Sequence, residues 1–224
     1  MSIDKGEPRG KHVPMLAHRV LLFTDAVDST WLTGRLGDEA ASALWAEHDR
    51  RARRLIRLWR GIEIDKSDGF LLVFESVDDA AGFAQSLHGA LAGLSPPIRT
   101  RASIHLAPMV QREVTPVDRA LGAKPLELDG LGKSLAARVM AFAAGGQTLL
   151  TSTARAALVG EAWRTRQHGY WQFKGIAEPM ALWELAEALV QRGGVVRGYA
   201  FPDDLKKRYA RCGRSSAYQP QACG

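Results

Sequence analysis

The sequence predicts a single α+β domain in which short apolar strands alternate with amphipathic helices. Two stretches carry this prediction. Residues 20–23 form a β-branched and apolar run that leads into a Ser/Thr/Asp-rich turn and a helical pattern, and residues 61–74 have the pattern of two strands joined by a tight turn. The 224 residues are 46% hydrophobic, which is enough for one sizeable core, and no change of composition divides the chain.

A carboxylate stands at the end of the first predicted strand. Asp25 follows the apolar run directly, and the residues after it open the next helix. Such a carboxylate can hold a divalent cation, while unpaired amide groups at the helix start bind phosphate oxygens. A purely structural alternative is that Asp25, Asp28 or Ser29 only caps the helix. The candidate phosphate-binding residues are Ala26, Val27, Ser29 and Thr30.

A second carboxylate lies on the turn of the predicted hairpin. Asp68 stands between Ser67 and Gly69, where the strand of residues 61–66 meets the strand of residues 70–74. Two carboxylates on turns of neighbouring strands suit a pair of Mg²⁺ or Mn²⁺ ions, because hard cations take oxygen ligands. Oxygen ligands suit both ions, so the sequence does not choose between them.

Five motifs together resemble the catalytic domain of class III nucleotidyl cyclases. The resemblance runs from His18 to Glu187, with the motifs in that family's order. It implies a ferredoxin-like βαββαβ core, a mostly antiparallel sheet with helices on one face, and a head-to-tail homodimer with two shared active sites. The motifs are F-T-D-A-V-D-S-T, S-D-G-F-L-L-V-F, D-G-L-G-K-S-L-A-A-R, G-G-Q-T-L-L-T and F-K-G-I-A-E-P.

The resemblance also implies a reaction and roles for particular residues. A class III cyclase converts a nucleoside triphosphate to a 3′,5′-cyclic nucleotide and pyrophosphate, with two metal ions per site, here on Asp25 and Asp68. Arg138 matches the family arginine that stabilises charge on the reacting phosphate, and Lys174 matches the lysine that contacts the triphosphate. Ser134 stands where the family has an Asn that orients the ribose, which puts ribose positioning in doubt.

The residues that would read the base depart from the purine-cyclase pattern. Asp65 or Lys66 falls near the first base-reading position, and Glu127 falls at the second, where an adenylyl cyclase has Asp. A carboxylate can accept from the amino group of adenine, guanine or cytosine, so this pocket is not diagnostic. A stand-alone domain with an altered base pocket resembles the pyrimidine cyclases of bacterial Pycsar anti-phage systems. That resemblance implies UTP, ahead of CTP, as substrate and a separate effector that responds to the product.

Two other functions stay open at this stage. The chain could be an adenylate or guanylate cyclase in ordinary signalling, or a non-catalytic module that binds nucleotide without turnover. The missing Asn favours the binding module, whereas the joint presence of Asp25, Asp68, Arg138 and Lys174 favours an enzyme.

Composition limits the partners and the location of the protein. The net charge of +6 is concentrated on an arginine-rich helix and the C-terminal tail, yet no nucleic-acid-binding motif accompanies it, so we expect an anionic substrate instead of a nucleic acid. No apolar run is long enough to cross a bilayer, and no signal peptide is present. Cys212 and Cys223 lie in the polar tail without metal-site spacing, which fits a reducing compartment. We therefore expect a cytoplasmic protein with an extension (1–17), a catalytic domain (18–190) and a basic tail (191–224).

Two further predictions concern segments near the site. Apolar spacing predicts one long helix over residues 37–60, in which His48 packs in the core and Gly61 caps the C-terminus. Residues 109–130 are rich in turn-forming residues and predict a long polar loop.

Overall fold

The computed structural model describes residues 15–124, 126–160, 163–186 and 211–212. The elements follow each other as β1 (Met15–Ala26), α1 (Ser29–Leu36), α2 (Asp38–Leu58), β2 (Ile62–Lys66), β3 (Phe70–Phe74), α3 (Val77–Ala92), β4 (Thr100–Glu113), α4 (Pro116–Ala120), β5 (Leu126–Asp129), α5 (Leu131–Phe142), β6 (Thr148–Thr151), α6 (Ser152–Ala156), β7 (Arg164–Trp171), β8 (Met180–Ala186) and β9 (Arg211–Cys212).

The strands of the described residues form one sheet in the order β2-β3-β1-β4-β6-β8-β7-β9, with β5 added beside β4. Only the β4–β6 pair is parallel, and the other strand pairs are antiparallel. The segment from β1 to β4 has the βαββαβ order, with β1 between β3 and β4. The predicted α+β fold and its mostly antiparallel sheet are confirmed.

Helices cover both faces of this sheet, so the prediction of helices on one face was incomplete. Val20 and Leu22 of β1 pack with Ala52 of α2 and Phe83 of α3 in one cluster. The alternate residue Leu21 packs with Ala136 of α5 in another cluster on the opposite face. Because successive strand side chains point to opposite faces, β1 is buried on both sides. The site at its end therefore rests on a rigid strand.

The predicted helix of residues 37–60 is in fact the second of two helices. Gly37 has a φ of 78°, which ends α1 and lets the chain turn into α2. At the other end, Arg60 takes a left-handed conformation with φ 58°, and the Gly61 amide donates to the Ile56 carbonyl at 2.8 Å. His48 is buried on α2, as the apolar spacing predicted.

The loop prediction for residues 109–130 was wrong. Strand β4 continues to Glu113, α4 follows, and β5 returns antiparallel to β4 with Val110 opposite Asp129. Leu128 of β5 is buried against the α5 side of the sheet, and this packing stabilises the hairpin despite its many turn residues. The Thr115 hydroxyl caps α4 by accepting from the Asp118 amide at 3.1 Å.

Parts of the predicted flanking segments lie outside the described residues, including most of the N-terminal extension, most of the basic tail and Cys223. Cys212 belongs to β9, which pairs with β7. Within the described ranges, no helix has the length and apolar character needed to span a membrane.

Two histidines that pack inside the domain, one buried and one half-buried, make the stability of the fold depend on pH. His88 of α3 hydrogen-bonds the Thr148 and Thr100 hydroxyls at 2.9 and 3.1 Å, and His105 of β4 hydrogen-bonds the Thr151 hydroxyl at 2.9 Å. Burial lowers the pKa of each histidine to about 4. The folded protein therefore holds both rings neutral at pH values where the unfolded chain binds protons.

We expect the free energy of unfolding to fall as the pH drops from about 6.5 towards 4. Below a pKa of about 6.5 the unfolded state binds the additional protons, so each histidine should cost about 1.4 kcal/mol of stability by pH 5.5. Urea unfolding at pH 7.5, 6.5 and 5.5 measures this loss. His88→Gln should show a shallower pH dependence than wild type, and a stability that is flat between pH 7.5 and 5.5 would contradict the prediction.

Candidate functional site

The two predicted carboxylates lie side by side at one end of the sheet. Asp25 is near the end of β1, and Asp68 is on the β2–β3 turn beside it. The turn packs closely on β1. A Cβ atom on Gly69 would lie only 1.9 Å from the Thr24 carbonyl oxygen, so only glycine fits at this position. The Phe70 amide also donates to the Thr24 hydroxyl at 2.9 Å. A glycine and a buried threonine thus fix the approach of the two acids.

The environments of the two acids push their pKa values apart. Burial, together with the neighbouring Asp68 carboxylate, raises the pKa of Asp25, although Arg101 opposes this effect. Burial would also raise the pKa of Asp68, but hydrogen bonds, chiefly from the Ser29 hydroxyl at 2.9 Å, outweigh it and lower that pKa. Mutual repulsion between close carboxylates is relieved when a cation binds between them.

Arg101 is a site residue that the sequence analysis missed. It stands opposite Asp25 in the antiparallel β1–β4 pair. Its Nε donates to Asp25 Oδ2 at 2.8 Å, its Nη2 donates to the same oxygen, and its Nη1 donates to the Ala141 carbonyl of α5 at 3.4 Å. The only sequence signal was a charged residue in an alternating strand, and the pairing depends on a register that the sequence does not specify.

The chemistry of the donor set fits Mg²⁺ or Mn²⁺. Asp25 and Asp68 supply carboxylate oxygens, and the described residues contain no cluster of three or more His, Cys, Asp or Glu side chains that would form a complete protein cage. Magnesium commonly binds through one or two carboxylates and completes its shell with water and substrate phosphates. The two acids therefore fit ions that arrive with a phosphorylated ligand.

The start of α1 faces this carboxylate pair, although its amides differ in availability. The Val27 amide donates to the Arg99 carbonyl at 2.8 Å, and Ala26 is paired with Thr100 in the sheet, so these two residues belong to the strand end. Ser29 and Thr30 lie in the first turn of α1, where amides have no acceptor within the helix. Of the four predicted phosphate-binding residues, Ser29 and Thr30 are therefore placed to offer their amides to an anion, whereas Ala26 and Val27 are not.

The remaining predicted catalytic residues form a second group, on α5 and the loop after β7. Arg138 and Ser134 are on α5, and a Cβ on Gly175 would lie 3.9 Å from the Arg138 guanidinium, so the turn that carries Lys174 lies beside Arg138. Phe173 packs edge-on against Phe142 of α5 at 5.4 Å between ring centres, which fixes this turn. Within the described residues, no hydrogen bond or ion pair joins this group to the two acids.

The base-reading candidates are divided between two places. Asp65 lines a cavity of about 210 Å³ together with Asp25, Lys66 and Lys133. The Lys66 ammonium pairs with Asp49 of α2 at 2.9 Å, and Asp65 pairs with Lys124. Glu127 is on β5, where it pairs with Arg112, and does not line this cavity. The structure therefore brings Asp65 and Lys66 together and leaves Glu127 apart.

Removing Arg101 should show how far it stabilises the acid pair. In Arg101→Met, two close carboxylates lose their neutralising cation, so we expect a loss of about 1–3 kcal/mol in the free energy of unfolding at pH 7.5. Millimolar Mn²⁺ should restore part of this loss, because a bound cation would replace the guanidinium charge. Urea unfolding with and without Mn²⁺ measures both effects.

Arg99→Met is the matched control for this prediction. Arg99 also pairs with an aspartate, Asp28, but at 3.8 Å and with both side chains about two-thirds exposed. Exposed pairs of this kind contribute little, so the control should stay within about 0.5 kcal/mol of wild type. Equal losses in the two variants, or no response of Arg101→Met to Mn²⁺, would contradict a role at the acid pair.

Comparisons with known proteins agree with this architecture. No protein-family profile matches the chain, and no curated protein matches it. Solved structures do match. An adenylate cyclase from Trypanosoma brucei shares 24% identity over 79% of this chain and 92% of its own, with a TM-score of 0.66. The adenylyl cyclase CyaB from P. aeruginosa shares 16% over 81% and 100%, with a TM-score of 0.67.

A third similar structure is the guanylate cyclase domain of a Catenaria anguillulae protein in complex with GTP. It shares 14% identity over 75% of this chain and 96% of its own, with a TM-score of 0.67. Identities this low establish shape and not activity. The described part of the chain therefore has the fold of adenylyl and guanylyl cyclase domains.

Proposed function

We propose that this chain is a nucleotidyl cyclase, which converts a nucleoside triphosphate to a 3′,5′-cyclic nucleotide and pyrophosphate. One observation carries the proposal: Asp25 and Asp68 lie together beside the first turn of α1, in a fold that cyclase domains share. Two close carboxylates at a strand end, with Arg101 beside them, suit the divalent cations that phosphoryl transfer from a triphosphate requires.

The reaction needs positioning and charge neutralisation more than covalent chemistry from the protein. The ribose 3′-oxygen bonds to the α-phosphorus as the bond to pyrophosphate breaks, and negative charge develops on the phosphoryl oxygens. Two Mg²⁺ or Mn²⁺ ions held by Asp25 and Asp68 would supply neutralising charge and acidify the 3′-hydroxyl. The amides of Ser29 and Thr30 would bind phosphate oxygens at the positive end of α1.

The second group of residues would complete the site. Arg138 would stabilise charge at the α-phosphate, and Lys174 on the neighbouring turn would hold the outer phosphates. Ser134, one turn before Arg138 on α5, would offer a hydroxyl to the ribose. Arg101 would orient Asp25 through its hydrogen bonds to Oδ2.

We infer that the active unit is a head-to-tail homodimer. Within the described chain, no hydrogen bond or ion pair joins the acid pair to the Arg138–Lys174 group, and a second copy turned head to tail would bring one of each together. Among the similar structures, one guanylyl cyclase domain, from Blastocladiella emersonii, is described as a non-canonical dimer, and the Trypanosoma brucei cyclases are described in a monomeric state. Sedimentation velocity measures the state of this protein.

The base is the finer part of the proposal, and we favour a pyrimidine, with UTP ahead of CTP. Lys133 lines the cavity beside Asp65 and offers donors for a carbonyl oxygen, such as those of uracil. The Glu127 carboxylate pairs with Arg112 and does not line that cavity. The residue at the second purine-reading position therefore lies outside the cavity. A cyclic pyrimidine nucleotide would act through a separate effector in anti-phage defence.

One experiment tests both the cyclase activity and the choice of base. The protein is incubated with Mn²⁺ and equimolar ATP, GTP, CTP and UTP, and the cyclic products are identified by mass spectrometry. If cyclic UMP or cyclic CMP is the main product, the result supports the proposal of a pyrimidine nucleotide as substrate. Cyclic AMP or GMP supports a cyclase of ordinary signalling and overturns the pyrimidine preference. If the four nucleotides bind but none is cyclised by the dimer, the protein is a binding module and the proposal of an enzyme fails.

A further inference from the structure

Arginines are concentrated on α2 and on the turn that follows it. The inner side of this helix packs in the core through Leu44, Ala52 and Ile56. Between residues 50 and 60 the chain contains no acidic residue, and the proposed reaction uses none of the basic ones. The basic residues are Arg50, Arg51, Arg53, Arg54, Arg57 and Arg60.

Two of these arginines differ from the rest in having no partner. The other four pair with carboxylates of the same chain, and the pairs are Arg50 and Arg51 with Glu47, Arg53 with Glu63, and Arg60 with Asp79. Within the described ranges, the guanidinium groups of Arg54 and Arg57 have neither a hydrogen-bond acceptor nor an ion-pair partner, and both side chains are exposed. Positive charge on the outer side of α2 therefore exceeds the negative charge around it.

The two unpaired arginines stand close together beside a shallow recess of about 580 Å³. Arg54 and Arg57 are three residues apart on the helix, so they share one face. The acid at this recess, Asp49, is balanced by the Lys66 ammonium at 2.9 Å. Neighbouring guanidinium groups repel each other, and phosphate oxygens that bridge them relieve this repulsion through paired N–H donors. The recess is lined by Ala46, Asp49, Arg50, Arg53, Arg54 and Arg57.

Exposed apolar side chains lie next to these arginines. Leu58 follows Arg57 directly, lies one helical turn after Arg54, and is 69% exposed. Ile62, at the start of β2, is 49% exposed. The phosphates and sugars of a nucleic acid offer such side chains little apolar burial, whereas the boundary between lipid head groups and acyl chains buries them. The mixture of unpaired arginines and exposed leucine therefore favours a lipid surface.

We propose that the outer face of α2, defined by Arg50, Arg54, Arg57 and Leu58, binds the surface of a membrane that contains anionic phospholipids. The arginines contact lipid phosphates, and Leu58 enters the boundary between head groups and acyl chains. This face shares no residue with the acid pair or with the Arg138–Lys174 group. The proposal therefore stands whether or not the chain turns over nucleotides.

Flotation with lipid vesicles measures this binding. The full-length protein is mixed with vesicles of phosphatidylcholine alone, or of phosphatidylcholine with about 30% phosphatidylglycerol, and bound protein is collected with the vesicles. We expect at least about tenfold tighter binding to the anionic vesicles, and loss of that binding at about 500 mM NaCl, because salt screens exposed charges. Equal binding to the two kinds of vesicle would overturn the proposal.

A double variant shows whether α2 carries the interaction. Arg54→Gln/Arg57→Gln removes the two unpaired charges and should weaken binding to anionic vesicles at least about tenfold. Arg99→Gln/Arg119→Gln is the matched control, since it removes the same charge from exposed positions outside α2 and should change binding less than about threefold. Equal losses in the two double variants would mean that only net charge matters, and the proposed surface would be wrong.

Leu58→Ser distinguishes a membrane from a nucleic acid. Loss of the exposed leucine should weaken vesicle binding at least about threefold, and it should leave any binding to a DNA duplex of about 20 base pairs unchanged. All the substituted side chains are exposed, so the variants should keep the wild-type circular dichroism spectrum. If Arg54→Gln/Arg57→Gln lost duplex binding but kept vesicle binding, the surface would serve a nucleic acid and the membrane proposal would fail.

Discussion

Asp25→Asn is expected to reduce formation of the cyclic product by at least about 1,000-fold in the presence of Mn²⁺. The amide keeps the size of the side chain and still accepts from Arg101, so the fold and the dimer should persist. What it loses is the anionic oxygen that a divalent cation needs beside Asp68. Initial rates by mass spectrometry, together with sedimentation velocity, measure the two outcomes separately.

Asp28→Asn is the matched control for this variant. Asp28 is an exposed acid three residues further along, at the start of α1, and its side chain makes no capping hydrogen bond. Neutralising it should change the rate less than about threefold, because exposed charges of this kind contribute little. If Asp25→Asn kept activity within tenfold of wild type, Asp25 could not be a ligand of a catalytic metal, and the proposed two-metal site would have to be abandoned.

Gly69→Ala is expected to lower the free energy of unfolding by more than about 3 kcal/mol and to reduce activity as well. The added Cβ would meet the Thr24 carbonyl oxygen at 1.9 Å and the Asp25 Cα at 2.8 Å, and both are backbone atoms that cannot rotate away. The β2–β3 turn must therefore move off β1, which also carries Asp68 away from Asp25. Urea unfolding and the product assay measure the two consequences.

Gly89→Ala is the matched control, because the same substitution at this position is expected to raise stability. Gly89 lies inside α3, and a Cβ there would meet nothing within 4 Å. Alanine favours the helix, so this variant should be more stable than wild type by about 0.5–1 kcal/mol. A Gly69→Ala protein within 1 kcal/mol of wild type would show that the close approach of the turn to β1 can relax without cost.

The position of the acid pair could be predicted from the sequence because local patterns carry it. An apolar run that ends at Asp25, and a hairpin turn at Asp68, place each carboxylate at the end of a strand without reference to the rest of the chain. The sequence analysis also took the two strands as neighbours, and β1 and β3 do pair in the sheet. The helix bearing Ser134 and Arg138 was predictable for the same reason, from its own periodicity.

Other features depend on which segments meet in space. The turn-rich residues 109–130 form the end of β4, α4 and β5, because pairing with β4 and burial of Leu128 override their local preference. Helix α5 lies on the second face of the sheet because alternate residues of β1 are apolar on both sides. A single strand pattern does not reveal which helix covers which face.

The sequence by itself determined the fold class, the strand ends that carry Asp25 and Asp68, and the helices that follow them, because these depend on period, turn residues and caps within short windows. Only the tertiary structure decided the partners. Arg101 reaches Asp25 from 76 residues away, and Lys66 pairs with Asp49 of α2. Such contacts depend on register and packing, and these are decided by the free energy of the whole domain and not by any one segment.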